Sequence, residues 1–321
     1  MDTKKIVVIG NQDLSYAIIG ALFAPPTKDG KPAYCISVLT YPSHSPYIPP
    51  HVPPNAIDHR TSDFSSQSLE SVFAGQNLVI STIAGGDYDL QVRIIDAAIA
   101  AGVKRFIPHE FAQDSLNRGL QERIPRSQTR ARIIDYLRGV SITHTAFEWV
   151  AVAVGCILDK MLVSGDLGFD LQWESATIHG TGTEKFAATS LGRVGVVIAS
   201  VVRNWHMVKN QFVYAAGVLV SANEVLASLE RSTTSTWSVG YSTVDDCIRE
   251  GELRIERGFP DSGMFLMERS ILYDESLNAA NAFQHQSVNG LLQLESETVE
   301  AIVGEAYHVF KHRGKPGCGC E

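Results

Sequence analysis

Two residues in the stretch IPHEF (107–111) could move protons. His109 carries the side chain best suited to proton transfer near neutral pH, and Glu110 sets a carboxyl group beside it at the end of a strand-like run. Each has an ordinary alternative: His109 hydrogen-bonded to a neighbouring loop, Glu110 bracing the same loop. A third candidate, Glu148, interrupts the apolar run AFEWVAVAVGCIL (146–158) at the end of a strand pattern. Burial there would make its carboxyl hold a proton more tightly, so that it could act as an acid at pH 7. A nearby arginine would make it structural instead. His144 reads as a satisfied core histidine. No metal-ligand cluster of recognisable spacing, no Gly-x-Ser-x-Gly elbow and no phosphate loop ending in Gly-Lys-Ser/Thr is present, which sets hydrolase and kinase chemistry aside.

A second group of positions concerns nucleotide binding. VVIGNQDLSYAIIG (7–20) runs from a strand through a glycine into a helix, the arrangement that grips a dinucleotide. Three glycines serve that grip: one for the tight turn, one for close approach to the pyrophosphate, one for helix–strand packing. With Gly10 as the first, Asp13 and Tyr16 occupy the other two places; sliding the register by three also leaves one glycine. A carboxylate at Asp13 would repel a pyrophosphate of about two negative charges, or would cap the helix and occupy the anion's place. Tyr16, Tyr41 and Trp149 could line an aromatic pocket or simply be core.

Such residues need elements to hold them. Over the first 150 residues, strand and helix patterns alternate: strands at 4–10, 33–41, 55–60, 77–86, 104–111 and 141–149, helices at 14–24, 65–73, 89–103 and 127–139. Short connections between alternating patterns mean an α/β fold with a Rossmann-like, doubly wound parallel sheet. The proline-rich segment 41–54 is expected to be a surface loop. After about residue 150 the alternation weakens, with hairpin-like strands over 167–189, a helix over 190–204, a strand at 211–217 and helices at 221–231 and 296–312. The expected organisation is therefore a Rossmann-like domain of NAD(P)-binding type over 1–150 and a smaller α+β substrate region over 151–321, with a flexible tail from about 313.

The composition narrows the partners. The chain has 321 residues and a net charge of −8 at pH 7, which argues against nucleic acid as a partner. No apolar window is long enough to span a membrane, and no signal segment is visible. Five scattered cysteines suit free thiols in a reducing compartment, so the cytoplasm is the expected address. Cys318 and Cys320 form neither a prenylation box nor a zinc site and read as a frayed tail.

The blocks GQNLVISTIAGG (75–86), QVRIIDAAIAAGVKRFIPHEF (91–111), LGFDLQWESATIHGTGTEKFAATSLGRVG (167–195) and YAAGVLVSANEVLASLE (214–230) resemble, in order and spacing, the NmrA-like, isoflavone-reductase-like family of atypical short-chain dehydrogenase folds, its fungal members above all. The resemblance implies a cofactor groove along the carboxyl ends of the strands, NADPH as its usual occupant, and reduction of small aromatic or polyketide-like molecules; some members are non-catalytic regulators. It also implies an arginine just after VLT to pair the 2′-phosphate, where this chain has Tyr41. It implies a lysine in the helix before the sixth strand, where alignment of RARIIDYL (130–137) places Arg130. Arginine stays protonated above about pH 12 and cannot transfer a proton, although it can hold an anion or an enolate.

Three departures therefore fall on three separate needs of NADPH chemistry. The expectation is a redox-neutral enzyme, performing isomerisation, dehydration or cyclisation on an aromatic or polyketide-derived substrate of fungal secondary metabolism, with no cofactor. The catalytic candidates are His109, Glu148, Arg130 and Glu110. The vestigial or altered cofactor positions are Gly10, Gln12, Asp13, Tyr16, Tyr41, Thr82 and Gly85. The alternatives are an NADPH-dependent reductase that tolerates a degenerate loop, and a regulator without activity. No nucleic acid or membrane partner is expected, and a homodimer is allowed.

Overall fold

The computed structural model describes residues 4–23, 33–83 and 87–312. The chain runs β1 (Lys5–Ile9), α1 (Asp13–Phe23), β2 (Cys35–Thr40), β3 (Ile57–Thr61), α2 (Ser66–Phe73), β4 (Leu78–Ser81), α3 (Tyr88–Ala100) and β5 (Arg105–Ile107). It continues through α4 (Arg118–Arg123), α5 (Pro125–Thr143), β6 (Glu148–Ala153), β7 (Cys156–Ile157), α6 (Leu158–Ser164), β8 (Phe169–Asp170), β9 (Ser175–His179) and β10 (Lys185–Thr189). The remainder is α7 (Leu191–Arg203), α8 (Trp205–Val208), β11 (Gln211–Tyr214), β12 (Val218–Ser221), α9 (Ala222–Thr233), β13 (Ser238–Ser242), α10 (Val244–Glu256), α11 (Pro260–Tyr273), α12 (Asn281–His285) and α13 (Val299–His312).

The main sheet has seven strands in the order β3-β2-β1-β4-β5-β6-β11, and every pairing within it is parallel. Strand order reverses between β1 and β4, which opens a crevice at their carboxyl ends. Both faces are covered, so the strands are apolar throughout rather than alternating. Ile6, Val8, Ile36, Val38, Ile80, Val150 and Val152 pack on one side with Ile18, Ile19 and Leu22 of α1 and Val194, Val197 and Ile198 of α7. Val7, Ile9, Leu39, Val79, Phe106 and Trp149 pack on the other, with side chains of α2, α3 and α5. A separate core gathers α6, β8 to β10, α9, α11 and α13 around Phe169, Phe186, Leu229 and Tyr273. Among the described residues no helix is long and apolar enough to cross a membrane.

Two expectations from the sequence change. Residues 141–143 form the last turn of α5 rather than the start of a strand: Ser141 Oγ donates to Leu137 O at 2.8 Å, and His144 N–H closes the helix on Val140 O at 2.8 Å. The β-branched residues there favour strands only weakly, and packing of Ile133, Ile134, Leu137 and Val140 carries the helix through them. His144 is therefore the exposed C-cap of a helix, neither a strand residue nor a core histidine. The boundary at 150 also does not divide the sheet, because β11 pairs with β6 and α7 lies against α1. A Cβ on Gly195 would stand 2.3 Å from Ala17 O, so only glycine lets those two helices meet this closely. The tail from 313 lies outside the described residues.

Candidate active site

Two cavities open along the carboxyl ends of the strands. The first, about 230 Å³, is lined by Gly10, Asn11 and Gln12 after β1, Thr40 at the end of β2 with Tyr41 and His44 beyond it, and Thr82 and Ile83 after β4. Gly10 has φ +130°, and a Cβ there would lie 2.3 Å from Thr82 Oγ1, which itself donates to Ile9 O at 2.7 Å. A side chain here would meet the Thr82 hydroxyl and would have to adopt a positive φ, a backbone conformation that favours glycine. Ser15, wholly buried, closes the loop: it accepts from Gln12 N at 2.9 Å and donates to Gln12 O at 2.7 Å. The turn therefore holds its shape without the other glycines.

Neither replacement fills the groove. Tyr16 turns to the proline-rich loop and stacks on Tyr47, with ring centroids 4.6 Å apart. Asp13 is the first residue of α1, and its carboxylate is ion-paired with the Lys160 ammonium of α6. Tyr41 is 41% exposed and leans on Phe64 at 4.4 Å, forming an aromatic wall where a nucleobase could stack. Gly85 lies outside the described residues.

The second cavity, about 250 Å³, lies between the main sheet and the α6–α11 region. Phe111, Ile124, Met161, Ile271 and Leu272 give it apolar walls, and its polar lining includes Gln113, Ser127, Arg130 and Glu268. Arg130 stands on α5, where Nη2 donates to Ser127 Oγ at 3.1 Å and Nε is 3.6 Å from Glu110 Oε1. At that separation the pair is ionic rather than hydrogen-bonded, and both atoms are buried with no hydrogen-bond partner in the described structure. Glu110 is only 1% exposed; burial pushes its carboxyl up to about 7 against the opposing pull of Arg130. The Glu268 carboxyl is also raised, by burial, although Arg126 Nη1 lies 3.9 Å away. Gln113 donates through Nε2 to Ala187 O at 3.3 Å, and its buried Oε1 is unpartnered.

The four catalytic candidates separate in space. His109, Glu110 and Arg130 meet around a small void beneath Ile83 and Gln91, and of these Arg130 alone also lines the larger cavity. His109 does not titrate near neutral pH: enclosure by protein, with the Arg130 charge adding to it, lowers its pKa to about 4 and keeps the ring neutral. Glu148 is the first residue of β6, not the last, and sits at the opposite edge of the sheet from both cavities. It accepts from Trp205 Nε1 at 2.7 Å and Lys209 Nζ at 2.6 Å, with Arg105 3.9 Å away. These donors and cations outweigh burial and hold its pKa below the usual range, so it is an ionised structural anchor and not an acid. Trp149 is core and Tyr16 faces away from the groove, so Tyr41 is the one tyrosine of the expected aromatic lining that faces it.

Sequence reasoning missed Gln113, Ser127 and Glu268. Gln113 follows IPHEF by only two residues and could have been suspected from that closeness. Glu268 carries no such signal, because α11 reaches the cavity only through long-range packing. Among the described residues, no three of His, Cys, Asp or Glu come close enough together to hold a metal ion.

A model of the NmrA-like family matches residues 56–250, more than half of the chain. The oxidoreductase aprR of Aspergillus flavus is 27% identical over 304 residues, spanning 94% of this chain and 98% of that protein. The oxidoreductase poxI of Penicillium oxalicum is 28% identical over 246 residues, 76% of each chain. Among solved structures, AtPrR2 with NADP+ and (+)pinoresinol superposes with a TM-score of 0.71 at 16% identity, covering 95% of this chain and 98% of the other. At that identity the likeness is one of fold.

Proposed function

The chain belongs to the NmrA-like family, and from that premise we propose that it is a nicotinamide-dinucleotide-dependent oxidoreductase for a small, mostly apolar substrate of aromatic or polyketide-derived type. One observation carries this reading above the redox-neutral one expected from the sequence. The groove beside Gly10 is clear of Asp13 and Tyr16, and its Thr82–Ile83 wall continues toward the void under His109, Glu110 and Arg130. The residues fit a dinucleotide to this extent: a closed turn at Gly10, an aromatic wall at Tyr41, and an opening at the strand-order reversal. The oxidoreductase relatives from fungi support the same reading.

A reduced nicotinamide dinucleotide supplies a hydride when bound. The chain's own residues do the rest. Arg130 keeps a fixed positive charge in the cavity wall, able to polarise a carbonyl or hold a phenolate or enolate oxygen. Glu268, whose carboxyl burial raises against the pull of Arg126 and Arg130, sets an ionisable group at the same wall. Glu110 acts through Arg130 as a positioning residue, since it does not reach the cavity itself. Phe111, Ile124, Met161 and Ile271 keep water from the reacting oxygen.

The redox-neutral reading keeps one observation in its favour: an arginine, not a lysine, stands at 130 and is tied to a buried carboxyl. Titration of NADPH into the purified protein, followed by nicotinamide fluorescence, separates the two. Micromolar binding with NADPH-dependent loss of a ketone or enone substrate is the expected result. Turnover of such a substrate in cofactor-free buffer, without NADPH binding, would sink the oxidoreductase reading.

A further inference from the structure

Burial decides which polar side chains of the substrate cavity a ligand can meet. Gln113 donates its amide N–H to Ala187 O, and its Oε1 is wholly enclosed by protein. Ser127 is 1% exposed and accepts from Arg130 Nη2. Arg130 and Glu268 remain. The Arg130 guanidinium faces Glu110 through Nε and Ser127 through Nη2, which leaves other N–H groups for an oxygen in the cavity. Glu268 accepts no hydrogen bond among the described residues, since Arg126 Nη1, 3.9 Å away, lies beyond hydrogen-bond reach. Its side chain lines the cavity and keeps 33% of its surface accessible, so a ligand there can reach it.

A carboxyl drawn out of bulk water without a donor costs free energy, unless what fills the cavity supplies that donor. The donor is a hydroxyl or an ammonium. The Arg130 charge reaches Glu268, because it opposes the rise that burial imposes on that carboxyl, and the same charge repels an ammonium placed between them. A neutral hydroxyl meets no such repulsion. Arg130 and Glu268 share one wall, so the two groups they hold must lie close together on the substrate. We propose that Glu268 determines substrate specificity by accepting a hydrogen bond from a hydroxyl on the carbon α or β to the carbonyl that Arg130 polarises. The substrate is then a hydroxy ketone whose remaining carbon frame lies against Phe111, Met161 and Ile271. The carbonyl at Arg130 rests on the oxidoreductase reading above.

The test is calorimetric binding of matched ketones to the full chain, with NADP+ added if nicotinamide fluorescence shows that NADPH binds. Benzoin carries an α-hydroxyl and β-hydroxydihydrochalcone a β-hydroxyl; deoxybenzoin and dihydrochalcone are the same frames without it. At least one hydroxy ketone should bind wild type about tenfold more tightly than its deoxy frame. E268L, with its fold checked by circular dichroism, should abolish that preference by weakening the hydroxy ketone and sparing the deoxy one. E268Q keeps an acceptor oxygen and should retain part of the preference. No preference in wild type, or no binding of either hydroxy ketone, overturns the proposal. So does a preference that survives in E268L, or an E268L loss equal for both frames, which a merely structural role would give. Desylamine, the amine counterpart of benzoin, binding more tightly than benzoin in wild type and losing that advantage in E268L would make Glu268 an amine site and overturn the hydroxyl assignment. Absence of NADPH binding, with the hydroxyl preference present and lost in E268L, removes the oxidoreductase reading and leaves the role of Glu268 standing.

Discussion

Glu110 and His109 are neighbours whose burial acts on charge in opposite senses. The Glu110 carboxyl rises from 4.5 to about 7, so the folded chain holds a proton that the unfolded chain releases. Its contribution to stability is complete below pH 4.5 and is lost as pH climbs to about 7. His109 falls from 6.5 to about 4, so its contribution is present above pH 6.5 and is lost as pH drops toward 4. Between roughly pH 4.5 and 6.5 the two slopes oppose and largely cancel. E110Q removes one of them. Urea unfolding of E110Q across this range should show stability rising with pH more steeply than in wild type, the difference being the Glu110 slope, on the order of 3 kcal/mol over its whole window. Equal pH profiles for the two proteins would contradict the burial assigned to Glu110. The pair was legible in IPHEF, but its chemistry was not. Sequence shows that an imidazole and a carboxyl adjoin, whereas pKa depends on how much water reaches them and on an arginine twenty residues away.

At the scale of elements, β6 and α5 decide which residues face the cavities. Strand β6 begins rather than ends at Glu148, and that reverses which edge of the sheet the carboxylate occupies. There it ties β6 to Trp205 in α8 and to Lys209 just beyond it. E148A should cost about 2 kcal/mol in chemical unfolding, as expected for hydrogen bonds to a charged group, and should leave the NADPH dissociation constant unchanged. A large loss of affinity with intact stability would return Glu148 to the site. Helix α5 places Ser127 and Arg130 one turn apart, so the serine hydroxyl accepts from the guanidinium and fixes its direction. Helix α2 shows the opposite case, a purely local contact: the Ser65 hydroxyl caps it by accepting from Ser68 N. Capping is settled within four residues, whereas strand direction and edge are settled by partners far along the chain.

At the scale of the whole molecule, the second half of the chain completes the first. Strand β11 extends the main sheet, and α7 lies so close to α1 that Gly195 meets Ala17 O. G195V forces a side chain into that backbone contact. It should destabilise the protein by about 1–3 kcal/mol, read by urea unfolding. It should also weaken NADPH binding, because α1 carries Asp13 and follows the groove loop directly. Normal affinity in a destabilised G195V would show that the groove does not depend on this packing.

The sequence by itself determined the parallel sheet, the family and the identity of the altered loop positions. Alternating apolar runs, turn residues and block spacing are properties of neighbouring residues, and they are read without knowing what lies opposite. It also singled out Arg130, through alignment with a family lysine, and that residue lines the second cavity. Only the tertiary structure decided that Asp13 pairs with Lys160, that Tyr16 leaves the groove for Tyr47, that Glu268 enters the cavity from α11, and that Glu148 stands at the far edge. The physical reason is common to all four. Where a side chain points, and whether its charge is met or buried, is fixed by contacts between segments that can lie more than a hundred residues apart.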